Sequence, residues 1–170
     1  MDPIQKLVVA REVEDRLREY WREVDENGGR NAGSFWTEDA VWEAPARTFK
    51  GRAEIQGFFD WRLKRGDRLA VHVVADLTTV VESATRASCR WHLVLFAEDG
   101  VPVLPSKPPA QIAAVEDRWS RVAGRGSQVE DRWSQVVGRR SQSLINVGLS
   151  AACAPFPLSH SRQKSDWGGI

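Results

Sequence analysis

The sequence has little of several residue types that would identify a function directly. Among its 170 residues are two cysteines, one methionine, one tyrosine and three histidines. Cys89 and Cys153 lie far apart in unlike contexts, so we expect neither a disulfide framework nor a cysteine zinc site. No His-x-His or Glu-x-x-His pair, phosphate loop or dinucleotide fingerprint is present. We therefore expect no metal and no cofactor.

An excess of charge of one sign and long apolar runs are also missing. The 24 basic and 23 acidic side chains leave a net charge of +1, unlike a nucleic-acid-binding protein. No apolar run approaches the roughly 18 residues of a membrane span. Met1 to Lys6 lacks the apolar region of a signal peptide. These features predict no nucleic-acid partner, no membrane association and a cytoplasmic location.

Two long segments of alternating residues dominate the middle of the chain, and apolar residues, at 42%, suffice for one core. Leu69–Val81 and Thr85–Ala97 predict two β-strands joined by a short turn. Strict alternation places His72 and Asp76 on one face of the first strand, about 13 Å apart. Both faces of both strands carry apolar residues, which predicts a sheet covered on both sides over at least part of its length.

The rest of the chain predicts helices before this hairpin and a strand after it. Apolar spacings of three and four predict a helix over Pro3–Glu26, ended by Asn27-Gly28-Gly29. Gln111–Val122 fits a strand, with a helix as the alternative. The remaining predicted elements are a helical turn at Asn31–Trp36, strands at Ala40–Glu43 and Arg47–Lys50, a helix over Arg52–Lys64, and a proline-rich loop at Val101–Pro109.

A short repeat follows. The hexapeptide VEDRWS occurs at Val115–Ser120 and again at Val129–Ser134, an offset of 14 residues. Two copies do not make a solenoid, and a tandem duplication of one strand-turn segment is the interpretation we favour. From Ser150 onward the chain is rich in Ser, Pro, Arg and Gly. We predict one domain over residues 1–140, with the duplication within 113–140, and a poorly ordered tail over 141–170.

The order of elements, together with several short motifs, resembles the SnoaL-like branch of the NTF2-like cone fold. The motifs that carry the resemblance are LREYWREVD at Leu17–Asp25, FWTEDAVW at Phe35–Trp42, FKGRAEI at Phe49–Ile55, Arg68–Val74, and VEDRW at Val115–Trp119. The resemblance implies an α+β fold in which a curved mixed or antiparallel sheet packs against about three N-terminal helices. It also implies a pocket at the wide end of the cone and a homodimer.

The resemblance ends after Val122, where the family has a Trp-Arg-rich closing strand. Here the second VEDRWS copy occupies that position. We hypothesise a duplication with a change of reading frame, which the other two frames of the coding DNA after codon 124 would reveal. Either the second copy, Gln128–Gly138, forms the closing strand, or the sheet keeps an open edge.

Members of this family that act as enzymes are often cofactor-free lyases or isomerases with a His and a carboxylate in an apolar cavity. The resemblance thus implies an acid–base site, with His72, Asp25 and Asp76 as catalytic candidates. Asp25 is notable because its charge in the last helical turn opposes the helix dipole. The ligand would be an apolar small molecule. The predicted substrate-binding residues are Tyr20, Trp21, Trp42, Phe59, Arg90, His92 and Asp117.

Simpler interpretations remain open for each residue. His72 and His92 fit satisfied sheet histidines, and Arg90 fits an ion pair with Asp76 or Glu82. Asp117 fits a structural role, and Cys89 fits a small core hydrophobe. The chain as a whole also fits a non-catalytic ligand-binding or dimerisation module, or a degenerate copy without activity.

Overall fold

The computed structural model describes residues 1–44, 46–105, 107–122 and 132–145, with the backbone alone at 122, 132–133 and 136–145. It consists of a six-stranded mixed sheet with two α-helices, which confirms the predicted α+β class. The elements are α1 (Pro3–Glu26), a 3₁₀ helix (Ala32–Phe35), β1 (Trp36–Ala44), β2 (Arg47–Lys50), α2 (Arg52–Leu63), β3 (Arg68–Ser83), β4 (Arg86–Asp99), β5 (Gln111–Val122) and β6 (Arg132–Ile145). The expected count of about three helices is corrected, because the described part of the chain has two α-helices and one four-residue 3₁₀ turn.

The strand order is β2-β1-β6-β5-β4-β3, and only the β1–β6 pairing is parallel among the described strands. The predicted central hairpin is β3–β4, paired from Arg68 opposite Asp99 to Ser83 opposite Arg86. Gln111–Val122 is a strand, so the alternative of a helix there is wrong. This segment therefore extends the sheet beside β4 and does not form a helix packed on it.

The strand β6 closes the sheet between β5 and β1. It begins inside the second VEDRWS copy and pairs antiparallel with β5, which carries the first copy. Gln128–Asp131 and residues 146–170 lie outside the described residues, as does most of the predicted tail. Because β6 continues to Ile145, the strand runs past residue 140, and the limits of the domain stay a prediction.

Helix α1 starts with a capping box, in which the Asp2 carboxylate accepts from the backbone N–H of Gln5 and the Gln5 side chain accepts from Asp2 N–H. Its buried stripe is Val9, Val13, Leu17, Tyr20 and Trp21. After its C-cap, Gly29 has φ +75°, and a Cβ there would overlap the ring of Phe59. That close approach brings α2 against the end of α1 and onto the same side of the sheet.

The helices cover one face of the sheet and leave the other open on the β3–β4 hairpin. Val71, Val73 and Phe96 are 42%, 41% and 39% exposed, whereas Trp91 and Leu93, on the other side of the hairpin, are buried. The expectation of a sheet covered on both faces is therefore wrong for this hairpin, because the described helices all pack on the same side. We call this open side the outer face and the helix-covered side the inner face.

Candidate functional site

His72 and Asp25 form a close pair on the inner face, between β3 and the last turn of α1. The His72 Nδ1 atom lies 2.5 Å from Asp25 Oδ1, and the His72 backbone N–H donates to Asp25 Oδ2 at 2.8 Å. Their side chains are only 9% and 18% exposed. This double contact accounts for a carboxylate at a helix end where its charge opposes the dipole. The structure thus joins two residues separated by 47 positions in the chain.

The contact restricts the imidazole. An ionised carboxylate only accepts hydrogen bonds, so a hydrogen bond from the ring to an ionised Asp25 comes from Nδ1–H. The indole of Trp21 stacks on the His72 ring with centroids 4.2 Å apart and planes inclined by 18°. The ring is therefore held both at its edge and on one face.

Asp117 is a second buried carboxylate on the inner face, on β5. It is 2% exposed, and its Oδ2 accepts from Trp91 Nε1 at 2.7 Å while its Oδ1 accepts from Gln135 Nε2. Trp91 in turn packs edge-on against Trp21, with centroids 5.7 Å apart. Trp91 and Gln135 were not predicted as site residues, because no local pattern places them beside Asp117. Only the β4–β5–β6 pairing does so.

Asp76 lies on the outer face, so the prediction that it shares a face with His72 is wrong. The β3–β4 register shifts between Ala75 and Thr78, and Asp76 has φ +52°. This β-bulge inserts an extra residue and turns the Asp76 side chain away from the helices. That side chain is 82% exposed and contacts His92 Nδ1 at 3.2 Å. It does not join the His72–Asp25 pair.

Arg90 and His92 also lie on the outer face, since they alternate with the buried residues of β4. Arg90 is 78% exposed and donates to Glu116 at 2.9 and 3.1 Å, so the proposed ion pair with Asp76 or Glu82 is wrong. Neither side chain faces α1 or α2. The prediction that they bind a substrate together with the aromatic residues of the inner face is corrected by the same alternation.

The aromatic residues predicted to bind a substrate form one continuous layer between the helices and the sheet. The Tyr20 ring lies 4.8 Å from Trp21, 5.9 Å from Trp36 and 6.5 Å from Phe59, measured between centroids. Phe59 stacks in parallel with Trp42 at 6.1 Å. All four predicted residues, Tyr20, Trp21, Trp42 and Phe59, are thus buried on the inner face. That they bind a substrate stays a prediction.

Cys89 of β4 is buried, and its thiol lies 3.5 Å from the Thr79 hydroxyl. Burial raises the pKa of its thiol to about 12, helped by the charges of Asp117 and Glu14 and opposed by a hydrogen bond with Thr79. A thiol at neutral pH is a poor nucleophile, which favours the interpretation as a small hydrophobe. In residues 1–44, 46–105, 107–122 and 132–145, no three His, Cys, Asp or Glu side chains group as metal ligands would. No helix in those residues is long and apolar enough to cross a membrane.

Comparisons with known proteins agree with this architecture. A family model described as "SnoaL-like domain" matches residues 5–135. No curated protein sequence matches the chain. Among solved structures, a candidate scytalone dehydratase from Novosphingobium aromaticivorans is 17% identical, with a TM-score of 0.63 over 92% of this chain and 97% of its own.

Two further structures are similar in fold. An NTF2-like protein with a cystatin-like fold, also from Novosphingobium aromaticivorans, is 22% identical, with a TM-score of 0.61 over 86% of this chain and 88% of its own. A Catenulispora acidiphila protein in complex with S-DNPA is 16% identical, with a TM-score of 0.61 over 79% of this chain and 93% of its own. At these identities the likeness establishes a shared NTF2-like, cystatin-like fold.

Proposed function

The chain belongs to the family of SnoaL-like domains, and on that premise we propose that it is a cofactor-free lyase or isomerase acting on a small cyclic, largely apolar molecule. The observation that carries the proposal is the 2.5 Å contact between His72 Nδ1 and Asp25 Oδ1 in a mostly buried setting. A His held by a carboxylate moves protons near neutral pH without any other group.

The proposed step begins with a neutral His72 whose Nδ1–H points at Asp25. Its Nε2 removes a proton from a substrate carbon next to a carbonyl, and the electron pair of that C–H bond forms the new double bond. In a dehydration, the C–O bond of a neighbouring hydroxyl breaks, and the imidazolium returns its proton to the leaving oxygen, releasing water. In an isomerisation, the proton returns to a different carbon. Asp25 stabilises the imidazolium between the two transfers.

The surroundings of the pair support an apolar ligand. Trp21 covers one face of the His72 ring, and Tyr20, Trp42 and Phe59 extend the aromatic layer away from it. Such rings provide contact area for a cyclic molecule and keep water from competing for the proton. The complex of the Catenulispora acidiphila neighbour with S-DNPA is consistent with a small-molecule ligand.

Deuterium exchange tests the proposal without a known product. A panel of cyclic β-hydroxyketones is incubated in D₂O with the protein, and loss of the α-proton is followed by NMR and loss of water by mass spectrometry. We expect His72→Gln and Asp25→Asn to lower the exchange rate by about 10²- to 10⁴-fold. His92→Gln is the matched control, because the His92–Asp76 pair lies on the outer face. Wild-type exchange in His72→Gln would contradict the proposal.

A non-catalytic ligand-binding module is the second candidate. It is favoured by the size of the aromatic layer, since stacked and edge-on rings supply binding area but no proton transfer. The same panel separates the two candidates. Saturable binding by the wild type without any deuterium exchange would support binding alone.

We also propose a homodimer that uses the outer face of β3–β4. Val71 and Phe96 are cross-strand partners there, and Val73 lies on the same face, all three about two-fifths exposed. A second copy of this face would cover them. Val73→Lys should shift the sedimentation equilibrium toward monomer, and Val103→Lys, in a loop at 99% exposure, is the control. Wild-type protein that sediments as a monomer at high micromolar concentration would exclude this dimer.

A further inference from the structure

Three buried polar atoms without a hydrogen-bond partner belong to neighbouring residues of β1, β6 and β5. Trp36 on β1 and Trp119 on β5 are both direct cross-strand partners of Gln135 on β6. The three residues are 1%, 1% and 3% exposed. In the described part of the chain, the two indole Nε1 atoms and Gln135 Oε1 make no hydrogen bond. We call Trp36, Gln135 and Trp119 the polar row.

All three side chains of the polar row point toward the helices. Tyr20 of α1 packs edge-on against Trp36. Gln135 donates through Nε2 to Asp117, which is itself bonded to Trp91 under α1. Trp119 follows Asp117 by two residues on β5, so both side chains lie on the same face. The row is therefore part of the same interior as the aromatic layer.

The sheet is irregular at this row. Arg118 faces Val137 while the next residue, Trp119, faces Gln135, so Val136 is an extra residue in β6. The β1–β6 register also shifts between Trp36 and Val41. Bulges of this kind redirect side chains and occur beside binding sites. Here the irregularity brings a Gln amide into an otherwise aromatic surface, where Ser134 beside it is also buried.

Packing alone does not account for the chemistry of the row. A core that needs only volume is filled by Phe or Leu, and native interiors leave few polar groups unpaired. The two residues that flank Gln135 across the strands each supply an N–H donor, and Gln135 supplies an amide oxygen acceptor. A hydroxyl group complements this set, because it accepts from an indole and donates to Gln135 Oε1. A carbonyl oxygen complements the two indoles, since it has two lone pairs.

We propose that the polar row binds a hydroxyl or carbonyl oxygen of the ligand, at the end opposite to the reacting proton. This inference rests on the proposed function in one respect, namely that the inner face binds a small-molecule ligand. Trp21 and Tyr20 stand between His72 and Trp36, each in ring contact with the next. The substrate class becomes a cyclic compound that carries such an oxygen in addition to its reacting carbon.

Matched pairs of probes test the polar row directly by binding. The pairs are 1-tetralone with tetralin and 2-naphthol with naphthalene, each titrated by calorimetry or equilibrium dialysis. We expect the wild type to bind the oxygenated member at least about tenfold more tightly. In Trp36→Phe and Trp119→Phe this preference should fall below about threefold. Trp61→Phe removes an indole of α2 that lies outside the row and should retain the full preference.

A second measurement uses the wild type alone, in case a row variant does not fold. The indole N–H signals of Trp36 and Trp119 in ¹H–¹⁵N spectra should shift downfield with 1-tetralone and much less with tetralin. Three results with the wild type would overturn the proposal: equal binding of both members of each pair, no binding of the oxygenated members, or unchanged indole signals. A preference for the oxygenated members that both Trp36→Phe and Trp119→Phe retain would also overturn it. An interior that merely holds water would give equal binding.

The outcome is separable from that of the proposed function. Protein that prefers the oxygenated probes but exchanges no deuterium would leave the polar row standing and contradict catalysis by His72. Protein that exchanges deuterium without preferring oxygenated probes would support catalysis by His72 and contradict the role of the polar row.

Discussion

His72 and Asp76 lie four residues apart on β3, and their side chains leave the sheet on opposite faces. His72 contacts Asp25 and Trp21 beneath α1, whereas Asp76 is 82% exposed and contacts His92. In an undisturbed strand, residues four positions apart point to the same face, because side chains alternate with a period of two. The bulge between Ala75 and Thr78 separates them. It leaves Asp25, from another element, as the only one of the two candidate carboxylates beside His72.

The bulge predicts an unusual tolerance at position 76. Asp76 has φ +52°, a conformation that costs most side chains about 1–2 kcal/mol and costs Gly little. We expect Asp76→Gly to keep the free energy of unfolding within about 0.5 kcal/mol of wild type, since the lost His92 contact is exposed. Asp76→Val should lower it by about 1–2 kcal/mol. Urea unfolding of the two variants checks this, and equal stabilities would argue against a left-handed residue here.

Asp117 is predicted to be a stability determinant. Asp117→Ala leaves Trp91 Nε1 and Gln135 Nε2 buried without their acceptor. Each such loss costs about 1–3 kcal/mol, so we expect the free energy of unfolding to fall by roughly 2–6 kcal/mol. Glu116→Ala is the matched control, because the neighbouring Glu116 is about half exposed and pairs only with exposed Arg90 among the contacts described. It should change stability by less than about 0.5 kcal/mol. Similar losses in both variants would refute a special role for Asp117.

The raised pKa of Cys89 predicts slow labelling and a loss of stability in strong alkali. In a Cys153→Ser background, Cys89 is the remaining cysteine. With the pKa raised to about 12, the thiolate fraction at pH 8 is about 10³-fold below that of a thiol with an ordinary pKa near 9. Labelling by DTNB should be slower in the folded protein by at least that factor, since burial also limits access.

The sign of the pH effect follows from linkage. The folded pKa of Cys89 lies above its unfolded value, so the folded state holds the proton more tightly between about pH 9 and 12. The stability that depends on the neutral thiol is complete below pH 9 and declines as pH rises through that window. Cys89→Ala should make the unfolding midpoint less dependent on pH from 9 upward. Rapid DTNB labelling of folded protein at pH 8 would contradict the inert thiol.

Arg68 is predicted to support stability on the acid side. Its guanidinium lies 2.6 Å from Asp99, and this hydrogen bond lowers the pKa of the Asp99 carboxyl. A lowered folded pKa gives stability that is present above the unfolded pKa near 3.8 and is lost as pH falls through the folded value. In Arg68→Gln the Asp99 pKa should rise toward its ordinary value, as ¹³C NMR titration would measure. The accompanying change in stability should be small, because Asp99 is nearly half exposed.

Much of the site was recognisable from local features. The 3.6-residue period of α1 placed Tyr20 and Trp21 on a buried stripe, and the two-residue period of β4 separated Trp91 from Arg90. Asp25 was notable because a negative charge at a helix end needs a partner, and His72 is that partner. Asp117 was a candidate through the motif that carries it, but its bonding partners were not predictable from neighbouring residues.

The sequence by itself determined the long first helix and the two strands of the central hairpin, and it supplied His72 and Asp25 as candidates. Periodicity and capping are local properties, and they act within a few residues along the chain. Only the tertiary structure decided that Asp76 leaves the inner face, that Asp25 meets His72, and that Trp36, Gln135 and Trp119 form one row. A β-bulge changes the face on which the following side chains lie, and it does so without needing a particular residue type that the sequence would reveal. Contacts between distant segments depend on which strands become neighbours, and that is set by the packing of the whole sheet.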